Sequence, residues 1–555
     1  MAARDPISAL VTHEVTNQPP PLEPYNLYDN DLALREALVR EGGKWAEKQV
    51  RAFGERLGSE DSFELGRLAN EHPPELKLFD RYGQRIDEVE FHPAYHELMD
   101  LAISDEVASV AWTAKAGGHV VHTALEYMLI QVEAGVCCPM AMNYAAVPVL
   151  RHQPELAEEW EGRILSKNYD KRCIPAGEKA GVTVGMAMTE KQGGSDVRAN
   201  TTRAQALNGG GPGGEYELVG HKWFCSAPMS DAFLVLAYAA GGLSCFFVPR
   251  WKPDGTRNPF FIQRLKDKLG NRSNASSEVE FNATWARLVG EEGAGVRTIM
   301  DMVRHTCLDT TLAPVGIMRQ ATQRALHHTA HRTAFQRVLA QQPLMRNVLA
   351  DMAVECEAGT TMVMRIARAY DKSGKDEAER LFARIAVAVG KFWVNKRVSG
   401  LVNEAMECLG GVGYVEESMM PRLYREAPLN GIWEGSGNVI CLDVLRAMQR
   451  EPDCVAVFIG ELEASRGADA RLDRAIDALK DELADIEDAE SRARRTTEAM
   501  ALALEGALMV RHAPPAMADA FCASRLSEDW HKTFGTLPTG LDMDTIIERA
   551  RGEVA

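Results

Sequence analysis

The order of hydrophobic periods along the chain predicts an N-terminal all-α domain, a central β-barrel or sheet domain, a C-terminal four-helix bundle and an extra helical module. Three observations carry this. Apolar residues recur at helical spacing from Asp31 to about residue 170. Between about 181 and 290 the pattern switches to short strand-like runs separated by glycine-rich turns. From Gly295 the helical period returns and lasts to about Arg450. Helix, sheet, helix without βαβ alternation is not a doubly wound nucleotide-binding fold, so any nucleotide must be held in another way.

The chain has 555 residues, 46% of them hydrophobic, too many for one core. The expected divisions are an arm over 1–30, a helical domain over 31–180, a β domain over 181–290, a bundle over 291–450 and a module over 451–555. The arm is proline-rich (Pro19, Pro20, Pro21, Pro24) and reads as a tail or a clasp. Leu32, Leu34, Leu38 and Val39 then open the helical pattern. Gly181–Thr189 reads as a strand, Glu215–Ser226 as a pair of strand segments, Phe233–Tyr238 and Leu243–Val248 as a hairpin about Gly241-Gly242, and Glu278–Phe281 as a further strand. Bundle pieces are expected at Val296–Val303, Val315–Leu339, Met345–Tyr370 and Leu381–Leu409.

A net charge of −17 argues against general attraction to nucleic acid. Eleven cysteines without a CxxC pair read as reduced thiols in a cytoplasm. No secretory signal and no apolar run of 18 or more residues is present, so no membrane span is expected. His119 and His122, three apart, lack an evident carboxylate or cysteine to complete a set, and no metal is expected. His327 and His331 read as a solvated or hydrogen-bonded pair.

Three stretches carry candidate chemistry. In Trp433-Glu434-Gly435-Ser436-Gly437 a carboxylate sits between an aromatic ring and two glycines, before an apolar helical run. Such a helix start offers unpaired N–H groups, and a carboxylate among apolar neighbours has a raised pKa and can act as a base. Alone, the stretch reads more simply as a surface glutamate in a helix-entry turn. Thr189–Asp196 ends a strand in a polar turn whose hydroxyls and N–H groups suit the edge of a ring needing donors and acceptors. Lys222-Trp223-Phe224-Cys225-Ser226 offers an aromatic face with a hydroxyl nearby, or a sheet-core aromatic.

Together, in this order, the three resemble the acyl-CoA dehydrogenase family over roughly residues 30–450. T-E-x-x-x-G-S-D stands at Thr189–Asp196, G-x-K-x-F-C-S at Gly220–Ser226, a glycine motif at Leu409–Tyr414 and aromatic-Glu-Gly-Ser at Trp433–Ser436. The wording MTEKQGGSDVRANTTRA, GHKWFCS, RLKDKLGNRSNASSEVEF and WEGSGNVICLDVLR is similar to the AidB-like branch, the flavoproteins associated with the adaptive response to alkylation.

The resemblance implies FAD between the β domain and the bundle. Met186, Met188, Thr189, Gly194 and Ser195 would line it, with Phe224, Cys225 and Ser226 on another edge. Ile432, Trp433, Ser436, Gly437, Asn438 and Leu442 would close over it. Glu434 stands where the family keeps its base and would remove the α-proton of an acyl-CoA thioester while the β-hydride passes to the flavin. Asp301 and Arg304, a D-x-x-R, are the implied substrate contacts; Arg446, one helix face on from Glu434, reads either as a partner for a substrate carboxylate or phosphate or as a surface salt bridge, and Trp433 suggests a narrow pocket. Departures fall where the family contacts a neighbour's FAD: after Arg332 and Phe335, Gln336 replaces glycine, with Gln341 and Gln342 following, and Glu407 replaces a glutamine. A homotetramer is implied; the electron acceptor stays unassigned. The branch also implies duplex DNA binding by the C-terminal module, yet residues 451–555 hold 12 Lys and Arg against 22 Asp and Glu. A patch at Arg492, Arg494 and Arg495 is the one basic candidate there. Flavin chemistry on a nitroalkane or alkylating agent is a further alternative.

Overall fold

The computed structural model describes residues 12–485, 487–528 and 530–552. Before the barrel, two helices run through the interior, α1 (Gly118–Val132) and α2 (Cys137–Leu150). Every residue of α1 is buried, as expected of a helix apolar on most sides. A hairpin of Glu75–Phe79 and Arg85–Glu90 interrupts the expected run of helices. It is explained by its partner: Asp87 Oδ1 accepts from the Ile262 amide (2.8 Å) and Arg85 donates to the Ile262 carbonyl (2.8 Å), so the hairpin leans on the barrel.

The barrel strands are β1 (Val184–Ala187), β2 (Arg203–Ala206), β3 (Glu215–Ser226), β4 (Ala232–Ala239), β5 (Gly242–Pro249), β6 (Phe260–Leu265) and β7 (Ser276–Val289). Their order is β1-β4-β2-β3-β7-β5, with β6 on β7 and β5 back on β4, which closes the sheet. The β4–β5 hairpin is as expected. The expected pair of segments at 215–226 is one continuous strand, and the strand at 278–281 extends over 276–289. β2 and β6 are additional. The apolar run of β4 is explained by two cores: Phe233, Val235 and Ala237 fill the barrel, whereas Ala232, Leu234 and Leu236 face the helices.

Three long helices form the bundle: α3 (Gly295–His331), α4 (Pro343–Lys372) and α5 (Glu377–Leu409). The break expected between Val303 and Val315 is absent, because α3 runs through Pro314. Proline cannot donate to the carbonyl four residues back; that carbonyl, on Thr310, instead accepts from the Asn395 side chain (3.0 Å). The helix ends at His331 rather than Leu339, and a short hairpin of Thr333–Ala334 and Arg337–Val338 follows. The arm packs here: Asn17 exchanges two hydrogen bonds with Thr333 (2.7 and 2.8 Å), and His327 Nε2 meets the Pro20 carbonyl at 2.8 Å. Residues 1–11 lie outside the described residues. His331 Nδ1 lies 2.8 Å from the His327 carbonyl, so the pair is hydrogen-bonded as expected.

After the loop at Glu434 come α6 (Gly437–Arg450) and the C-terminal helices, of which α7 (Ala489–His512) is the longest. α7 packs on α4, α5 and α6, and Trp393 of α5 donates to Glu505 of α7 (3.0 Å). No described helix is long and apolar enough to cross a membrane.

Candidate active site

Glu434 lies in the tight loop between Leu429–Gly431 and α6. Its φ is +55°, a left-handed conformation that costs a non-glycine residue about 1–2 kcal/mol. Lys391 explains how the loop tolerates it. This buried ammonium donates to three successive carbonyls, of Trp433 (2.8 Å), Glu434 (2.9 Å) and Gly435 (2.7 Å). The carbonyls converge on one cation, and the Glu434 side chain is turned away from it towards α3. There it accepts one hydrogen bond, from Thr306 Oγ1 at 2.9 Å. Burial lifts its carboxyl above the ordinary range, against the opposing pull of Lys391 and the Thr306 hydroxyl. A half-buried carboxylate held by one donor, with raised proton affinity, can take a proton.

The barrel brings two further motifs together. The Trp223 amide donates to the Thr189 carbonyl (2.8 Å). Beneath them, Glu190 and Lys222 form a fully buried ion pair at 2.8 Å. Glu190 also accepts from the Thr201 amide (2.6 Å), the Thr202 amide (3.2 Å) and Gln192 (2.8 Å), while Lys222 donates to the Leu236 carbonyl (2.8 Å). Burial alone would raise the Glu190 carboxyl; the Lys222 ammonium and these donors outweigh it and hold it well below the usual range. Burial pushes Lys222 down to about 8 against the attraction of Glu190. Above the pair, Met186, Met188, Thr189, Gly194 and Ser226 are half-buried, while Ser195 and Phe224 are exposed. The Cys225 side chain fills the barrel core, and burial pushes its thiol up to about 12. Cys138 of α2 links barrel to base. Burial pushes its thiol up to about 11; it lies within hydrogen-bonding reach of Ser226 and feels the Glu434 charge.

These surfaces fit a flavin nucleotide. Hydroxyls and main-chain groups lie at Thr189, Ser195 and Ser226, and Phe224 offers an aromatic ring. Ser436 makes no capping hydrogen bond at the start of α6, leaving its first N–H groups available to an anion. Ile432, Ser436, Asn438 and Leu442 are exposed on the same loop and helix, with Trp433 and Gly437 half-buried. Asn438 is anchored from outside the loop, its side chain accepting from Arg494 of α7 (3.0 Å). Trp433 Nε1 donates to Asn430 (2.7 Å).

The implied substrate residues are placed less uniformly. Asp301 bridges His152 (2.7 Å) and Arg304 (3.2 Å) on α3, more than one turn before Thr306. Arg446 is spent in an exposed pair with Asp443 (3.2 Å), which Arg384 also binds through both oxygens; the surface salt bridge is the reading the structure favours. In the basic patch, Arg492 pairs with Glu482 (2.8 Å) and Asp485 (3.2 Å), and Arg494 is taken by Asn438. Sequence reasoning missed Thr306, Lys391 and the Glu190–Lys222 pair. The signal for Lys391 was a lone charge within the apolar stretch Ile385–Val394.

Residues 17–171 match the N-terminal domain of the adaptive response protein AidB, residues 185–284 the acyl-CoA dehydrogenase middle domain, and residues 293–449 the acyl-CoA dehydrogenase C-terminal domain. The chain is 48% identical to the AidB protein of Escherichia coli (strain K12) over 92% of its own length and 94% of the relative's. Among solved structures, Caenorhabditis elegans ACDH-11 in complex with C11-CoA has a TM-score of 0.82 at 26% identity, covering 99% of this chain and 95% of that one. An acyl-CoA dehydrogenase of Bacillus anthracis complexed with FAD shares the fold, with a TM-score of 0.67 at 15% identity over 90% of this chain and 89% of the other. The chain belongs to the acyl-CoA dehydrogenase family, in its AidB branch.

Proposed function

We propose that this protein is an FAD-dependent oxidoreductase that desaturates an acyl-CoA thioester at its α and β carbons, with Glu434 as the base. The bound flavin would supply the two-electron acceptor for the β-hydride. The observation that carries the reading is the half-buried Glu434 carboxylate with raised proton affinity and one donor, Thr306, in a loop locked by Lys391. Thr306 orients the carboxylate; Lys391 holds the left-handed turn without forming an ion pair that would quench the base. Ser226 and Thr189 support a flavin edge from the barrel, and the uncapped start of α6 supports a phosphate or ribityl group. The family membership and the acyl-CoA complex of the nematode relative support the substrate class.

The test is an anaerobic titration of the purified yellow protein with a panel of acyl-CoAs. Bleaching of the flavin band that disappears in Glu434→Gln is the expected result; a flavin that no acyl-CoA bleaches overturns the reading. A second reading is an alkylation-response role on DNA, favoured by the AidB match. The acidic C-terminal region and the spent arginines at 492 and 494 weigh against it, and absence of a duplex gel shift at low salt would remove it. Family membership is the ground for a homotetramer as the working assembly; the exposed Phe335, Leu344 and Tyr414 offer apolar surface to a second copy.

A further inference from the structure

Where α1 crosses α3, three titratable side chains meet in the interior with no positive charge among them. His122 and Glu126 stand one turn apart on α1, and Asp309 stands on α3, three residues beyond Thr306. His122 Nε2 is 2.9 Å from Asp309 Oδ1 and 3.4 Å from Glu126 Oε2. One ligand atom from each lies within 4.8 Å of the other two. His119, three residues earlier, turns to another partner, its Nδ1 meeting the Tyr144 hydroxyl at 2.7 Å.

The hydrogen bonding leaves this cluster incomplete. His122 Nδ1 lies 2.6 Å from the Val107 carbonyl, which can only accept, so Nδ1 carries the hydrogen and Nε2 presents a lone pair. That lone pair faces two carboxyl groups. Glu126 Oε2 and Asp309 Oδ2 have no hydrogen-bond partner, and their residues are 1% and 3% exposed. No lysine or arginine pairs with either acid among the described residues. Tyr144 stacks on the imidazole at 4.0 Å and fixes its plane. A proton shared between Asp309 and His122 Nε2 satisfies one pair, whereas Glu126 Oε2 and Asp309 Oδ2 stay unmatched; a cation seated among the three would satisfy all of them.

We propose that His122, Glu126 and Asp309 bind a divalent first-row cation such as Zn²⁺ or Mn²⁺. A ligating imidazole whose far N–H is anchored on a carbonyl is the arrangement metal sites use to fix the tautomer. A neutral imidazole with two carboxylates cancels the charge of a divalent ion, which suits a buried position. The edges of 2.9 and 3.4 Å agree with about 3.0–3.4 Å between neighbouring ligands on bonds of about 2.1 Å. The ion would tie α1 to α3 behind Thr306, bracing the helix that aims the base without touching substrate.

The purified flavoprotein, stripped with chelator, would be loaded with Zn²⁺ or Mn²⁺, desalted and assayed by mass spectrometry for metal. Crystals of the Zn²⁺-loaded protein would be measured at the zinc edge. About one retained ion per chain, an anomalous peak among the three side chains, and at least tenfold weaker retention in Asp309→Asn and Glu126→Gln are expected. Retention unchanged by these variants, or no ion above buffer in the parent protein, would overturn the site and assign the cluster to shared protons. If the variants fail to fold, the anomalous map of the parent protein decides: density elsewhere, or none, refutes it. Neither result depends on acyl-CoA turnover.

Discussion

Glu190 and Glu434 each follow a threonine or tryptophan in a glycine-bearing motif, and each has a buried lysine close by, yet the two are set up for opposite tasks. Lys222 donates directly to the Glu190 carboxylate, and four further donors complete it. That carboxylate is held ionised and inert, as a rivet between the two motifs. Lys391 donates instead to main-chain carbonyls around Glu434, and the side chain keeps one donor. The lesson is that where an ammonium points matters more than its nearness: Lys222 and four further donors reach the Glu190 carboxylate, whereas Lys391 is taken up by carbonyls and leaves the Glu434 carboxylate with one donor.

The strongest way to break this contrast is Glu434→Gln. The rate of flavin reduction by acyl-CoA should fall by about 10²–10⁴ with flavin content unchanged, measured by anaerobic stopped flow; a rate near that of the parent would deny Glu434 its role. Lys222→Met should act on stability. It strands Glu190 as a buried unpaired charge, costing about 3–5 kcal/mol in urea unfolding, and adding Glu190→Gln should recover part of the loss. Lys391→Met leaves three carbonyls without their donor. We expect a smaller loss, about 1–3 kcal/mol, with slower flavin reduction because the left-handed turn relaxes.

The pH dependence sharpens the same comparison. Glu434 must be ionised to act, and burial raises its pKa, so activity should rise with pH through a midpoint above the ordinary carboxylate range. Ionising it costs folded-state stability, because the raised value means the neutral form is favoured in the fold; that cost appears as pH rises through the midpoint. The Thr306 hydroxyl favours the ionised form, so Thr306→Val should move the acid limb of the rate profile to still higher pH. An unmoved limb would show that the bond does not tune the base. At the small end, Arg446→Ala should change stability by no more than about 0.5 kcal/mol and leave kinetics unchanged, as its pair with Asp443 is exposed.

Motif wording picks out Thr189, Ser226 and Glu434 because such residues occupy short contiguous stretches whose chemistry is local. It does not say which way the Cys225 side chain turns, because register shifts at Leu218/Val219 and Lys222/Cys225 reset the alternation along β3 and bring it inward with Tyr216 and Leu218. Two pieces were expected where α3 is one helix; Pro314 is carried within it because Asn395, 81 positions away in the chain, takes up the carbonyl that proline leaves free.

What the sequence by itself determined is the helix–barrel–helix order and the family, since periodicity and contiguous motifs carry these. Only the tertiary structure decided how the Glu434 carboxylate is held. Lys391 reaches the loop from a different helix, Thr306 from another, and Lys222 meets Glu190 across strands, at sequence separations of 43, 128 and 32. The gathering of His122, Glu126 and Asp309 likewise needs α1 to cross α3. Side chains brought together from distant segments leave no local period or spacing, because their partnership is set by packing and by the cost of leaving buried polar groups unmatched.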